Sequence, residues 1–539
     1  MLHPRTPPAL SLMALLSLTA GCLKSAPSAE SNPVGAQQAP PPPTAEARKA
    51  SVPTSFSCGN TQTLQFGPDI PPDMSQVSSQ VDADCFAWQQ FIALNWPAAS
   101  LDGGADAGFG TPGDLGAVQW QTWMDVAQVF LPDGGPPPAW GTVPTVDPAC
   151  LAEAGLTAVE ARGLLALNVA SKFAEQFDPS SSAQAFPFSG PAWLGAQNGT
   201  NVWYDVRISQ PEFDYVVDAG LYNASTQMAR ADAGVALVLP QGSFQSGSVG
   251  ALETKSAWME VSTPTDARWN RYKLAPAVVV DPSTQRCRTA TVALVGLHII
   301  HATQSQPTLV WSTFEHMDNA PNNNADAGTT AWNFYNAQCQ PRTVSVPANC
   351  SADGGATQVT VGCTPNTPPP YFIGNGCPAP SAVQVTRMTA IDATAARVTT
   401  TVQQHLEQVY PGSVWGNYLL VNTLWSTGAS QSPTKPVKAP LPFASPAPSG
   451  SIPIANTTME TYIQQTADFG QGAKASNCIV CHAAATIQGP SGIASDFSFI
   501  FGLAQGLPPA NQAMLKSKRV TPAIKAGQLH PPRMRRILQ

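Results

Sequence analysis

The spacing of the cysteines limits the fold of this chain more than any other feature of its sequence. Eleven cysteines occur in 539 residues, and three of them, Cys22, Cys478 and Cys481, belong to short motifs that use the thiol in another way. The other eight predict four disulfides and an oxidising compartment. They are Cys58, Cys85, Cys150, Cys287, Cys339, Cys350, Cys363 and Cys377. The last four lie close together in a stretch rich in Gly, Asn and Pro, and we expect them to bridge that stretch locally.

Composition excludes several classes of protein. Hydrophobic residues make up 43% of the chain, which is enough for one large core or two domains. Charged residues make up 11%, less than half the usual share of about 25%. The formal net charge of −7 argues against binding to nucleic acid, because such surfaces need clustered Lys and Arg.

The first 22 residues have the pattern of a bacterial lipoprotein signal peptide. Residues 10–20 are an apolar run that is too short to cross a hydrocarbon core of about 30 Å as a helix. Residues 18–22 (LTAGC) resemble a lipobox, in which Cys22 accepts the lipid. A soluble periplasmic protein that is cut nearby is the alternative. We therefore expect export and attachment to a membrane through the N-terminal lipid, on its periplasmic or cell-surface side.

Changes of composition predict the domain boundaries. Residues 23–55 are rich in Pro and Ala and form a tether. Residues 56–438 form a large domain, residues 439–450 are a linker rich in Pro, Ala and Ser, and residues 451–539 are a small segment with a basic tail.

Hydrophobic periodicity predicts an α+β domain with an antiparallel sheet. Residues 84–96 and 392–409 have helical apolar stripes, and the capping box from Thr157 to Glu160 predicts a further helix that runs to about Ala174. Strand-like runs occupy residues 201–208, 275–280, 289–301 and 308–316.

The last two of these runs predict a hairpin that carries three histidines. If residue 301 pairs with residue 309, His298 and His316 share one face of the sheet, and His301 points to the other face. We expect these histidines to form hydrogen bonds within the sheet or to border a pocket.

One short motif indicates chemistry. Cys478, Cys481 and His482 form the sequence Cys-x-x-Cys-His, the attachment sequence of c-type haem. The two thiols form thioethers with the two vinyl groups, and the histidine becomes an axial iron ligand. A thioredoxin-type redox pair would need a βαβ context, and a zinc site would need a second ligand pair, and the sequence predicts neither. A second capping box, from Thr457 to Glu460, predicts a helix to about Thr466 ahead of the motif. We expect one covalent haem c on a small helical segment that packs against the large domain.

Several further motifs suggest a family. With them the chain resembles bacterial extracytoplasmic cytochrome c family proteins, which have a long N-terminal region and a short haem-bearing C-terminal segment. The resemblance rests on the haem motif and on residues 86–97 (FAWQQFIALNWP), 253–258 (ETKSAW), 296–299 (GLHI), 311–319 (WSTFEHMDN), 456–460 (NTTME) and 496–499 (DFSF). It implies haem binding and electron transfer to redox partner proteins.

The second axial ligand separates the functional hypotheses. Met514 is the candidate distal ligand, and the large domain offers His298, His316 or Met317 instead. A haem with two protein ligands transfers electrons, whereas an open distal side suits a peroxidase or oxygenase. In that enzyme the candidate acid/base residues are Glu315 and His316. A surface binding module with a structural haem is the third hypothesis.

Overall fold

A computed structural model describes these segments of the chain: residues 54–59, 62–74, 79–100, 108–143, 146–167, 191, 193–281, 284, 286–322, 328, 330–374, 376–427, 432–443, 446–447, 454–464 and 478–506. Cys22, the tether up to residue 53 and Met514 lie outside the described residues, and the predictions made for them stay predictions. No helix in the described segments is long and apolar enough to span a membrane.

The described helices and strands confirm the predicted α+β class. The first half of the chain contains β1 (Ser55–Cys58), β2 (Gln62–Gln65), α1 (Gln80–Leu94), β3 (Met124–Asp125), α2 (Val126–Val129), α3 (Pro148–Glu153), β4 (Leu165–Leu167), β5 (Val202–Ile208), α4 (Gln210–Asp218), α5 (Ala224–Asp232), β6 (Gln241–Ser243), β7 (Ser248–Gly250) and β8 (Leu252–Glu260). The second half contains β9 (Leu274–Val280), β10 (Cys287–His301), β11 (Val310–His316), β12 (Arg342–Ser345), β13 (Gln358–Val361), α6 (Ala393–Val409), β14 (Tyr418–Ser426), β15 (Pro446–Ala447) and α7 (Cys478–His482).

One large sheet organises the described part of the chain. Its strand order is β15-β14-β11-β10-β8-β5-β3, and β9 pairs with β10 beyond the end of β8. These pairs are antiparallel, and only the short β4 joins the sheet in parallel, beside β9. The antiparallel sheet predicted from the sequence is therefore confirmed.

The two faces of this sheet bury different groups. On the first face, which we call the α1 face, Phe314 packs against Trp88 and Phe91 of α1, and α6 lies in the same apolar cluster. On the second face, which we call the Trp311 face, Trp311 and Ile300 pack with α4 and with residues 479–504. The C-terminal segment thus shares a core with the sheet.

Strand pairing arranges the Trp311 face in rows. Glu253, Ile300 and Trp311 are direct neighbours on β8, β10 and β11 and form one row. Lys255, His298 and Thr313 form the next row. The first row lies against the C-terminal segment, and the second row is polar.

The register of the β10–β11 hairpin differs from the predicted one. His301 pairs with Val310 rather than with residue 309, and His298 pairs with Thr313. A shift by one residue exchanges the faces of a strand, so His316 shares the α1 face with His301, and His298 points to the opposite face. The prediction that His298 and His316 share a face is wrong. The reason is the turn before β11, where Leu309 has a positive φ of 66° and lies outside the strand.

The two long predicted helices are confirmed. α1 begins after Ser79, whose side chain accepts a hydrogen bond from the Asp82 amide, and ends at Asn95, two residues before Pro97. α6 begins after Asp392, which caps the amides of Thr394 and Ala395. The predicted stripe of α6 is buried: Ala395, Val398, Val402, Leu406 and Val409.

Both helices predicted from capping boxes are wrong. The side chains of Thr157 and Glu160 do exchange their capping hydrogen bonds, but residues 158–163 form turns, Gly163 has a positive φ of 85°, and the chain continues into β4. Residues 457–464 also form turns. There Glu460 accepts a hydrogen bond from the amide of Asn456 at 2.8 Å, and its other oxygen binds His298. A capping box stabilises a first turn, and tertiary contacts decide whether a helix continues from it.

The four predicted disulfides are present. They join Cys58 to Cys85, Cys150 to Cys287, Cys339 to Cys363 and Cys350 to Cys377. The last two bridge the loop-rich stretch locally, as predicted, and the first ties β1 to α1.

Gly296 lets the turn at residues 456–460 approach the sheet. An added Cβ would overlap the Thr458 hydroxyl and would lie 3.0 Å from Asn456 Oδ1. We predict that Gly296→Ala lowers the free energy of unfolding by about 1–3 kcal/mol, because overpacking forces backbone shifts. Urea unfolding measures this change.

Gly416→Ala is the matched control, since an added Cβ there meets only Leu406 Cδ2, at 3.9 Å. Its effect should stay within about 0.5 kcal/mol. Equal effects of the two substitutions would contradict the close approach at Gly296.

Candidate haem-binding site

The haem motif forms a single helical turn that is anchored by apolar residues. α7 runs from Cys478 to His482, and Ile479 is fully buried in the apolar cluster of the Trp311 face. Cys478 and Cys481 are half-buried and lie outside the four disulfides. Residues three apart share one side of a helix, so both sulfur atoms lie on the same side of this turn.

The hydrogen bond of His482 fixes its tautomer. Nδ1 lies 2.7 Å from the carbonyl oxygen of Phe497. A carbonyl oxygen only accepts, so Nδ1 carries the hydrogen, and Nε2 holds the lone pair of the neutral ring. Metal-bound histidines commonly donate their other nitrogen to a carbonyl in this way. His482 therefore has the tautomer that an axial ligand needs.

Aromatic rings enclose His482. Its ring centroid lies 4.4 Å from that of Trp311 and 4.9 Å from that of Phe499. The indole of Trp311 is held in place because its Nε1 donates to the carbonyl of Thr308 at 2.9 Å. The sheet therefore supplies one wall of the site, and the C-terminal segment supplies the other.

A strained loop positions the carbonyl that binds His482. Asp496 and Phe497 have positive φ angles of 51° and 67°. Residues other than glycine seldom adopt this conformation, which costs on the order of 1 kcal/mol or more per residue. The loop is held by the Asp496 carboxylate, which accepts from the Leu239 amide at 2.8 Å, and by Ser495, whose hydroxyl donates to the Ser498 carbonyl at 2.6 Å.

Asp496 is buried, and its environment alters its ionisation. Burial, with a smaller contribution from the Glu253 carboxyl, raises the pKa of Asp496 to about 7, although the hydrogen bond from Leu239 acts in the opposite direction. A second carboxyl nearby, Glu212, is fully buried. Burial, followed by the carboxyls of Glu253 and Asp496, holds the pKa of Glu212 well above its usual range.

The structure does not bring Glu315 and His316 together. As neighbours on β11 they point to opposite faces of the sheet. Glu315 is ion-paired with Arg387 and accepts two hydrogen bonds of 2.9 Å from Thr457. The ring of His316 stacks on Tyr272 with centroids 3.7 Å apart, and burial lowers its pKa to about 3.

The candidate distal ligands from the large domain lie at different places relative to His482. His298 directs its Nε2 at Glu460 Oε1, 3.0 Å away, and Nε2 is the usual ligand atom of histidine. His316 is on the opposite face of the sheet from His482. Met317 comes after the far end of β11, about 20 Å along the chain from Trp311 at the rise of a strand. The prediction of Met514 falls outside the described residues.

The described residues of the motif fit a covalently attached haem. Within the described segments no group of three or more His, Cys, Asp or Glu side chains is arranged to hold a metal ion. The motif instead provides two thiols on one side of a helical turn and a histidine with a fixed tautomer. Comparison with protein-family models, with curated proteins and with solved structures finds no match for this chain.

Sequence reasoning found the three motif residues but not the groups that orient them. The motif DFSF contains the carbonyl that binds His482, yet the sequence did not reveal that Phe497 serves through its backbone. Trp311 and Glu212 were also missed as parts of this site. Trp311 belongs to the motif WSTFEHMDN, and the only signal for Glu212 was an acid in the first turn of a helix.

The raised pKa of Asp496 predicts a pH-dependent stability. Between the usual carboxyl pKa and about pH 7, the folded protein keeps this proton while the unfolded chain has lost it. The folded state then binds more protons, so stability falls as the pH rises. We predict that Asp496→Asn removes this loss of stability. The free energy of unfolding of the variant should rise relative to that of wild type by at most about 4 kcal/mol between pH 4 and pH 8.

Urea unfolding across this pH range measures the difference. Asp214→Asn, an exposed site on α4, is the control and should show no such growth. If the free energies of unfolding of Asp496→Asn and wild type differed by the same amount at every pH, the Asp496 carboxyl would have the same pKa in the folded and unfolded states.

Proposed function

We propose that this chain is an exported mono-haem c-type cytochrome that passes single electrons to redox partner proteins and is attached to a bacterial membrane by a lipid at Cys22. The observation that carries the proposal is the tautomer of His482, fixed within a turn that also holds Cys478 and Cys481. No other hypothesis accounts as directly for this hydrogen bond beside the two cysteines.

Each residue has a defined task under this proposal. Cys478 and Cys481 would form the two thioethers, and His482 Nε2 would be the proximal ligand. When bound, the haem supplies a centre that gains and loses one electron. The Phe497 carbonyl holds the imidazole and increases its basicity, and Trp311 and Phe499 exclude water from one side of it.

The four disulfides support the compartment that this chemistry needs. Disulfides persist where the surroundings are oxidising, as in the bacterial periplasm or outside the cell. Attachment of c-type haem also takes place outside the cytoplasm. The predicted signal peptide and the disulfides therefore agree on an exported protein.

A haem-dependent peroxidase or oxygenase is the second candidate. It is favoured by His298, whose Nε2 is oriented by Glu460 on the Trp311 face. Burial raises the pKa of Glu460, but the charge and hydrogen bond of His298 and the charge of Lys255 outweigh burial and lower that pKa to about 2. A histidine oriented by a carboxylate is a common acid/base arrangement, and it replaces Glu315 and His316 as the better-placed pair.

Covalent attachment is the first property to test. We predict that the full chain, expressed with haem c maturation machinery, keeps its haem after denaturation and organic extraction. Cys478→Ser/Cys481→Ser should lose the haem because both thioethers are absent. His482→Ala should keep the covalent haem but lose the low-spin absorption spectrum. Spectra recorded before and after extraction distinguish these outcomes.

His298→Gln is the control for this experiment, because it alters a histidine on the same face of the sheet without touching the motif. It should retain both covalent haem and the low-spin spectrum. A wild-type chain that releases all of its haem on extraction would disprove the proposal.

Visible and near-infrared spectra with and without carbon monoxide separate the two candidates. For a carrier we predict a low-spin haem that ignores carbon monoxide, with a methionine charge-transfer band that Met514→Ala abolishes. A high-spin haem that binds carbon monoxide and reacts with peroxide would instead favour the enzyme, and loss of that reaction in His298→Gln would identify the acid/base residue.

A further inference from the structure

Three buried carboxyl groups lie in or near the loop that orients His482. Glu212 is in the first turn of α4, Glu253 is near the start of β8, and Asp496 precedes Phe497. They are 0%, 6% and 2% exposed. Carboxyl groups are seldom buried so completely without a cation, and none of the ion pairs between described residues includes Glu212 or Asp496.

The contacts of these groups imply bound protons. Glu212 and Glu253 are brought near each other because Ser209, just before α4, exchanges hydrogen bonds of 2.9 Å with Leu252 at the start of β8. Two ionised carboxylates held near each other repel, so a proton on one of them is favourable. Neither oxygen of Glu212 receives a hydrogen bond from the described residues, and the same holds for Oδ1 of Asp496. Buried charge without a partner is costly, so the cluster is stable when it holds protons.

Several basic groups lie on the elements around the cluster. Lys255 and His298 occupy the next row of the Trp311 face and interact with Glu460. From the helical side, Arg230 of α5 lies near Tyr215 of α4. Among the described residues, neither Glu212 nor Asp496 forms an ion pair with any of these basic groups.

Two connections link the cluster to the haem motif. Asp496 adjoins Phe497, whose carbonyl accepts the hydrogen bond of His482. Independently, Glu253 is two strands away from Trp311 in one row, about 10 Å at the usual strand spacing, and Trp311 contacts the ring of His482.

We propose that Glu212, Glu253 and Asp496 form a proton-binding site that is coupled to the electron carried at the Cys478–His482 motif. This inference rests on the proposed function. It adds that the protein takes up a proton together with the electron. One electron enters from a one-electron donor, one proton enters the cluster from solvent, and both leave on oxidation, so charge and atoms balance. No covalent bond changes other than that to the proton.

Electrostatics gives the size of the coupling. If the added electron lies as far from the cluster as Trp311 lies from Glu253, about 10 Å, then at an effective dielectric constant of about 20 it changes the proton affinity of the cluster roughly tenfold. A tenfold change in affinity corresponds to about 59 mV in the potential of a one-electron centre. The reduced protein binds the proton more tightly, so its midpoint potential falls as the pH rises through neutrality, where the raised pKa of Asp496 lies.

Redox titration of the full-length holoprotein against pH tests the proposal. In wild type we predict a potential that falls by about 59 mV across this range and levels off on either side. Glu212→Gln and Asp496→Asn should each reduce the fall at least twofold, because an amide cannot take up the proton. Asp214→Asn on the exposed side of α4 is the matched control and should retain the whole fall.

Proton uptake by wild type gives a second test that needs no variant to fold. Reduction with dithionite in weak buffer should remove protons from solvent near neutral pH. The oxidised-minus-reduced infrared spectrum should show a carboxylic acid band that shifts in deuterium oxide.

The outcomes separate this proposal from the proposed function. A pH-independent potential together with no proton uptake would overturn the coupling and leave the cytochrome intact. A fall that persists unchanged in both variants would assign the proton to another group and would also overturn it. Absence of covalent haem would disprove the proposed function, and the coupling with it.

Discussion

The pairing of β10 with three other strands is the interaction on which the rest of the fold depends. This fifteen-residue strand pairs with β9 along its first half and with β8 and β11 along its second half. The register shifts between Leu294 and Gly296, where the turn at residues 456–460 approaches the backbone. By fixing β8 and β11 relative to each other, β10 fixes the rows of the Trp311 face, and those rows place Glu253, Lys255 and Trp311 around the C-terminal segment.

The two faces of the sheet bury different kinds of side chain. The α1 face is packed with aromatic rings from α1 and with the apolar stripe of α6. The Trp311 face also carries the polar side chains of Glu253, Lys255 and His298, which lie next to Ile300 and Trp311 in the sheet. Burying a polar group costs free energy unless the group forms a hydrogen bond or an ion pair. His298 and Glu460 form such a pair, whereas Glu212 and Asp496 have carboxyl oxygens without a hydrogen bond from the described residues.

Features that depend on neighbouring residues or on the number and spacing of cysteines could be predicted from the sequence. α6 was predictable because an N-cap, a 3.6-residue stripe and a following proline agree. The eight cysteines were predictable as four disulfides because their number is even once the two short motifs are set aside, whereas haem attachment at Cys478 and Cys481 stays a prediction from spacing. The helix predicted after Thr157 failed because a capping box forms whether or not a helix continues beyond it. The helix predicted after Thr457 failed because Thr457 and Glu460 bond to residues of the sheet and to Asn456 instead of to each other. The hairpin register failed because one left-handed residue, Leu309, changes which face every later side chain takes.

The residues that flank Glu212 in the sequence do not predict that it is buried. Glutamate in the first turn of a helix ordinarily faces solvent and complements the helix dipole. Here α4 packs its first turn against β8, and the Glu253 carboxyl arrives from a strand 41 positions further along the chain. Only the assembled sheet reveals that three acids meet.

The shared core also sets an order of events in maturation. On the proposed function, an attachment catalyst must reach two thiols and the ring of His482. In the finished structure His482 is 8% exposed and its ring packs against Trp311 and Phe499. Ile479, between the two cysteines, is inside the core. On that function, thioether formation must therefore come before the C-terminal segment docks on the sheet.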